Sequence, residues 1–439
     1  LLDVTYDEAT DDDYKYTAAA FNDDEDQSRW FYFKSNGKKI YAEDGDRTKD
    51  KTINGRKYAF DEYGAMVAEW SLDEDDLKAN GYSGGTNASG STAQKVASAS
   101  GTANAAVVDG SVSQAGALKG SGADAKYSQA WKYFNSVEDG SRVSKGWFKV
   151  VPAEYLNEDK YNDDEEAWYY ADGSGNLYAG EFKTIKGKKY AFRNDGRMVN
   201  GLKFIYEEDG KDNLIVKADD DDYYPFDNED DFLDYAVSYY EPNGYKCYYF
   251  GGDDDGAMRS GKTTIDFDGE NTSFYFEKSG GNKGAGITGE EDDKLYQSGM
   301  LLRADSDDKY IVVKRTVVRT ETRADGTTKT IYGYTKLDDA EEFIDDAGLV
   351  DAIGSKTDND DVTVGHVTKD AEDLKEAYAW SSDMNKDATD AEMSATKKAK
   401  ENYILVNTSG KLVDTKSKNK DGNDFYYVVS KGGAIEGVY

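Results

Sequence analysis

The stretch from Gly146 to Leu202 constrains this chain most, because it sets two short aromatic strand pairs with glycine-rich turns back to back. From Trp168 it reads WYYADGSGNLYAGEFKTIKGKKYAFRNDGRMVNGL, and weaker copies recur on both sides. The best copy begins at Trp30, which falls on Trp168. The run GRKYAFDEYGAMV from Gly55 matches GKKYAFRNDGRMV from Gly187, so Gly64 and Met66 fall on Gly196 and Met198. An ordered match over about a dozen positions is a repeat signal. Trp30 to Gly55 is 25 positions and Trp168 to Gly187 is 19, so the first copy carries six extra residues, which belong in a loop.

A single two-stranded hairpin is marginal in water. Each aromatic ring removes about 150–250 Å² from contact with water, at roughly 25 cal/mol/Å², so neighbouring hairpins that share rings offset their ordering cost together. The expected fold is therefore mainly β: a solenoid-like array of aromatic-rich β-hairpin repeats, with a small α+β insertion near 309–400. Phe274 to Tyr296 is 22 positions and Trp147 to Trp168 is 21, which sets a period near twenty residues.

Composition supports aromatic packing over an aliphatic core. The chain has 35 Tyr, 17 Phe and 6 Trp, and 44 Gly against 3 Pro, so turns are made with Gly, Asn and Asp. The net charge of −34 argues against nucleic acid and against an anionic membrane surface, both of which it would repel. No run approaches the 18 or more apolar residues of a membrane span, and no basic-then-apolar signal opens the chain. A chain beginning at Leu1 reads as a mature or fragmentary product. The single cysteine, Cys247, excludes an internal disulfide and a cysteine-rich zinc site.

In order, 1–79 read as N-terminal hairpin repeats, with an irregular acidic hairpin or edge over 1–29 and a type I′ turn at Asn36-Gly37 after the strand Trp30 to Phe33. Residues 80–126 are a Gly/Ser/Ala-rich linker or insertion in which Val96, Val107, Val108 and Val112 could form a weak strand. Residues 127–308 are central repeats with an inserted hairpin (Lys203 to Tyr206, Leu214 to Lys217) and helical character over 229–240. In 309–401 a long β-branched hairpin, Tyr310 to Thr320 against Thr327 to Tyr334, precedes three helical segments: Asp338 to Val350, Asp370 to Trp380 and Ala388 to Lys400. Residues 402–439 return to repeats.

The pair Gly146-Trp147, the run Trp168-Tyr169-Tyr170 with Gly175, and the segment GKKYAF with DGRMVNG resemble the cell-wall-binding repeats of the choline-binding and glucan-binding family of Gram-positive surface proteins, wall hydrolases, glucosyltransferases and toxin tails. The resemblance is good over about 30–70 and 131–202 and faint over 245–302 and 403–437. The Gly-Trp pair occurs once; the corresponding slots read Glu69-Trp70 and Gly201-Leu202. The resemblance implies that neighbouring hairpins hold a ligand between aromatic faces, here Trp147, Trp168, Tyr170 and Tyr190. Trp30, Tyr32, Tyr58, Trp70 and Trp131 are the weaker equivalents. Ring faces attract a quaternary ammonium and stack on a pyranose, yet hairpin packing alone would require the same rings.

The expected function is a non-catalytic, extracellular or cell-surface module that attaches to a choline-bearing wall polymer or a glucan. Two alternatives stand beside it: a structural or adhesive protein with non-binding repeats and self-association, and the targeting tail of a wall enzyme whose catalytic module lies elsewhere. No cofactor and no catalytic set is expected. His366 is the only histidine and has no nucleophile motif around it. The acidic runs Asp219 to Asp222, Asp253 to Asp255 and Asp305 to Asp308 would attract only Ca²⁺, fit no EF-hand spacing, and read as solvated loops. Cys247 reads as a small packing residue.

Overall fold

A computed structural model describes residues 2–4, 27–43, 46, 48–61, 63–73, 123–153, 156–208, 213–218, 228–267, 269–322, 325–353, 361–364, 367–370, 376–385, 387–414 and 419–439. The four valines of the Gly/Ser/Ala-rich stretch, His366 and Asp219 to Asp222 lie outside these residues, as does most of the expected N-terminal hairpin. The chain forms two compact units, the first of Leu1–Gly201, Ile205–Val216 and Phe250–Met258, the second of Leu202–Phe204, Lys217–Tyr249 and Arg259–Tyr439.

The first unit is a series of separate antiparallel pairs. β1 (Leu2–Val4) pairs with β2 (Gln27–Arg29), β3 (Lys49–Ile53) with β4 (Arg56–Phe60), and β5 (Glu69–Leu72) with β6 (Trp131–Phe134). β7 (Gly146–Val150) pairs with β8 (Ala167–Ala171), and β9 (Glu181–Ile185) with β10 (Lys188–Phe192); β11 (Leu202–Glu207) and β12 (Leu214–Lys217) follow. The first and second strands of β3–β4 and β9–β10 join through two residues, Asn54-Gly55 and Lys186-Gly187, with φ of 50° and 83°, and of 49° and 83°. Positive φ at both centres makes these the type I′ turns, whose twist suits a two-residue hairpin.

The type I′ turn expected at Asn36-Gly37 is a different turn. Only Gly37 has positive φ there, Gly37 N–H donates to Lys34 O, and Lys34 N–H donates to Lys38 O, which is a three-residue loop closed by a glycine bulge. Asn36 stays at negative φ because its Oδ1 accepts from Lys38 N–H. The same loop recurs after β4, β8 and β10, where Gly64, Gly175 and Gly196 donate to Asp61, Asp172 and Arg193. Each repeat is thus a strand pair followed by a tight return that leaves one bridge, such as Ala171 to Leu177 and Phe192 to Met198.

The longest insertions enter this repeat between its first and second strands. Where β9–β10 has a two-residue turn, β7–β8 carries residues 151–166 with helix α2 (Glu158–Asn162), and β5–β6 carries 73–130, including α1 (Ala123–Gln129). The Gly/Ser/Ala-rich stretch therefore leaves and re-enters one strand pair, since Leu72 lies opposite Trp131.

In the second unit, α3 (Glu229–Tyr235) runs into a π-helical turn at Ala236–Tyr240 and is followed by β13 (Lys246–Tyr249). A five-stranded sheet is built from β14 (Gly261–Phe267), β15 (Glu270–Phe276), β16 (Gly289–Glu291), β17 (Lys294–Gln297) and β18 (Met300–Leu301), in the order β14-β15-β18-β17-β16. Phe274 and Phe267 pack on Phe232 of α3, and Cys247 is buried. The long hairpin of β19 (Tyr310–Thr322) and β20 (Thr328–Leu337) precedes α4 (Ala340–Ala347), β21 (Val350–Asp351), β22 (Asp361–Val364), β23 (Val367–Asp370) and β24 (Tyr378–Ala379). After α5 (Asp390–Lys400) come β25 (Tyr403–Asn407), β26 (Asn419–Lys420), β27 (Tyr426–Val429) and β28 (Ile435–Val438). β25 pairs with β19, and β24 lies between β21 and β28, so the expected α+β insertion and the C-terminal repeats share sheets.

The helix expected over Asp370 to Trp380 is corrected at both ends, and 371–375 lie outside the described residues. Asp370 ends β23, and Tyr378–Ala379 is a strand with neighbours on both sides, because ladder pairing outweighs local helix propensity.

Candidate functional site

Strand register places the predicted rings together. Trp147 of β7 lies opposite Tyr170 of β8, and Lys149 lies opposite Trp168, so all four side chains share one face of the pair. The other face carries Phe148 and Tyr169. Trp147 is the hub: its ring centroid is 4.8 Å from Tyr190, 5.1 Å from Tyr170, 5.7 Å from Phe192 and 6.4 Å from Trp168. Tyr170 stacks on Tyr178 at 5.2 Å. Ile185, Met198 and Ala257 complete the cluster, whose Trp147, Trp168, Tyr170 and Tyr178 remain half-buried. Edge-to-face and offset contacts at these spacings are the favoured aromatic geometries.

The preceding strand pair repeats the arrangement. Trp70 lies opposite Tyr133, and Leu72 opposite Trp131. Trp70 is 5.1 Å from Tyr133, 6.4 Å from Trp131 and 5.0 Å from Tyr169 of the next pair. Trp70, Trp131, Tyr133 and Tyr169 therefore occupy the same positions as Trp147, Trp168, Tyr170 and Tyr190. This copy is sealed: Trp70, Trp131 and Tyr169 are buried, Phe148 stacks on Tyr133 at 5.0 Å, and Tyr127 of α1 meets Trp131 edge-on. Burial drives the hydroxyl pKa of Tyr169 far up and that of Tyr133 to about 12.

Two substitutions separate the copies. Leu72 of the sealed copy corresponds to Lys149, and Phe148, on the facing strand, corresponds to Lys183. Lysine stems cover apolar surface but keep their charge at water, so the second copy cannot close as the first does. Lys149 Nζ lies 6.0 Å from the Trp168 ring centroid and Lys183 Nζ 5.0 Å from that of Tyr178.

Asp254 reaches the same edge from 86 positions away. Its Oδ1 accepts from Trp168 Nε1 at 2.8 Å and from Lys149 Nζ at 3.1 Å. The Trp168 hydrogen bond, followed by Lys149, holds the Asp254 carboxyl below its ordinary range. Asp253 accepts from Asn200 at 3.1 Å. The loop expected to be merely solvated is thus engaged at Asp253 and Asp254, a role its sequence does not signal because every nearby loop is acidic.

The remaining predicted positions form a third, less complete copy. Tyr32 and Tyr58 pack with Ile40, Ile53, Phe60 and Met66, Lys51 Nζ lies 6.0 Å from the Tyr32 ring, and Trp30 is 39% exposed. Among the described residues no group of three or more His, Cys, Asp or Glu is placed to hold a metal ion, and no helix is long and apolar enough to cross a membrane.

No family model and no curated protein matches the chain. Among solved structures, it is similar to choline binding protein F of Streptococcus pneumoniae, with 16% identity, 63% of this chain and 55% of that one covered, and a TM-score of 0.31. The modular autolysin LytC of the same species gives 14%, 66%, 38% and 0.25, and its CbpJ gives 18%, 63%, 71% and 0.22. The chain spans about half the length of the first and under two fifths of the second. These structures are of choline-binding proteins and a modular autolysin.

Proposed function

We propose that the first unit is a non-catalytic cell-surface module that attaches to a wall polymer bearing quaternary ammonium groups, through the aromatic cluster centred on Trp147. The observation that carries this reading is the half-buried state of Trp147 and Trp168, whose counterparts in the preceding copy, Trp70 and Trp131, are buried. A set of rings needed only for packing would be expected to close. Converging ring faces hold a trimethylammonium group at up to about 2 kcal/mol when it is desolvated.

The sealed Trp70 copy favours a second role for the array, as a rigid spacer in which most repeats only pack. Both roles are compatible with one protein, and with attachment of a catalytic module carried elsewhere in a longer chain.

Titration with choline and with α-glucan oligomers, followed by tryptophan fluorescence, tests the reading. Saturable quenching or enhancement by choline is expected in the wild type and its loss in Trp147→Ala. No response to either ligand in the wild type would sink it.

A further inference from the structure

We propose that the Trp147 cluster is gated by charge: the Lys149 ammonium occupies the cation position at Trp168, and an incoming ammonium ligand displaces it and inherits Asp254 as its counter-ion. The inference rests on the reading of the Trp147 cluster as a ligand site. It adds the selectivity of that site, which favours a cationic group over a neutral sugar.

The geometry is set by three independent elements. β-register puts Lys149 directly across from Trp168. Its Nζ lies 6.0 Å from the ring centroid, at the outer limit of a cation–π contact, and 3.1 Å from Asp254 Oδ1. Asp254 is also fastened to the indole N–H of Trp168 at 2.8 Å, so the carboxylate stays beside the ring when the lysine leaves. Side-chain exposure of 39% for Lys149 and 71% for Asp254 makes the pair easy to open, since water solvates each partner once they part. In the Trp70 copy the position of Lys149 is Leu72, which is buried and offers no such exchange.

Exchange of one cation for another leaves the charge beside Asp254 unchanged. A neutral pyranose gains nothing from the carboxylate and would have to part the ion pair without replacing it. The device therefore predicts weak salt dependence for the native site and strong dependence once the lysine is gone.

The test is isothermal titration of the whole chain with choline chloride and with a neutral α-glucan oligomer, at low and high ionic strength. The proteins are wild type, Lys149→Met, Asp254→Asn and Trp147→Ala, each checked by near-ultraviolet circular dichroism. Lys149→Met is expected to bind choline about three- to ten-fold more tightly, with an affinity that falls as salt rises, and to ease glucan binding without that salt dependence, since no ion pair is left to part. Asp254→Asn is expected to weaken choline about three- to ten-fold. If choline binds wild type but Lys149→Met and Asp254→Asn match it at both salt levels, the gate is overturned and the ligand site stands. If choline binds none of the four proteins, both fall.

Discussion

At the residue scale, Asp195 shows how the frame around the ligand cluster is held. Its carboxylate is buried, accepts from Arg197 Nε at 2.6 Å and from Asn157 Nδ2 at 2.8 Å, and so ties the cap of α2 to the return loop after β10. Burial alone would raise its pKa, but Arg197 and the Asn157 amide outweigh burial and hold it below the usual range. A carboxylate lowered in the folded state contributes stability above its unfolded pKa of about 3.9 and loses it as pH falls through the folded value. Asp195→Ala is expected to cost about 2–3 kcal/mol at pH 7, because it strips partners from buried donors, and progressively less in acid below pH ~4. Urea unfolding at several pH values reads this directly, and an equal cost at pH 3 and pH 7 would contradict it.

At the scale of elements, the repeats interlock through one methionine and one glycine. Met198, on the return after β10, packs where a Cβ on Gly256 would come within 2.1 Å of its sulfur, and Met66 stands in the same relation to Gly140 at 2.4 Å. Gly256 also has φ of +61°, so alanine there adds strain to overpacking. Its expected cost is about 2–4 kcal/mol. Gly187, in the type I′ turn at φ of +83° with nothing within 4 Å, carries only the backbone penalty of about 1 kcal/mol. Comparing the melting temperatures of Gly256→Ala and Gly187→Ala checks this order; equal values would mean that the methionine moves aside freely. The placement of the long insertions of β5–β6 and β7–β8 between the first and second strands follows from the same construction. That junction is an outer turn, whereas the return loop carries the contact to the next repeat.

At the scale of the whole molecule, the two compact units are expected to unfold as separate cooperative transitions. A ligand that binds only the native first unit stabilises that unit by RT ln(1 + [L]/Kd), about 2.7 kcal/mol at a hundred-fold excess over Kd. Scanning calorimetry with choline should therefore raise one transition and leave the other in place, and Trp147→Ala should lower the same one and abolish its response. Movement of both transitions by choline would place the site elsewhere.

The sequence by itself determined the repeating unit, its aromatic strands and its glycine turns. These are local properties: the runs at Gly55 and Gly187 share their glycines, Tyr-Ala-Phe and Met-Val because each hairpin obeys the same backbone rules. It also brought Trp147, Trp168, Tyr170 and Tyr190 into one candidate set. It ranked Trp70 and Trp131 as weaker equivalents, since Glu69-Trp70 lacks the glycine, although they form the same ring arrangement. Tyr133, Tyr169, Phe192 and Tyr178 did not stand out as site residues in a chain of 35 tyrosines and 17 phenylalanines. Only the tertiary structure decided which copy is closed and which is open. Leu72 and Lys149 acquire their opposite effects from cross-strand register, Phe148 and Lys183 from the neighbouring hairpin, and Asp254 from a loop 86 positions beyond Trp168. A strand's residues alternate between two faces, so what a side chain covers is set by its partners across the sheet and in the next repeat, which local sequence does not encode.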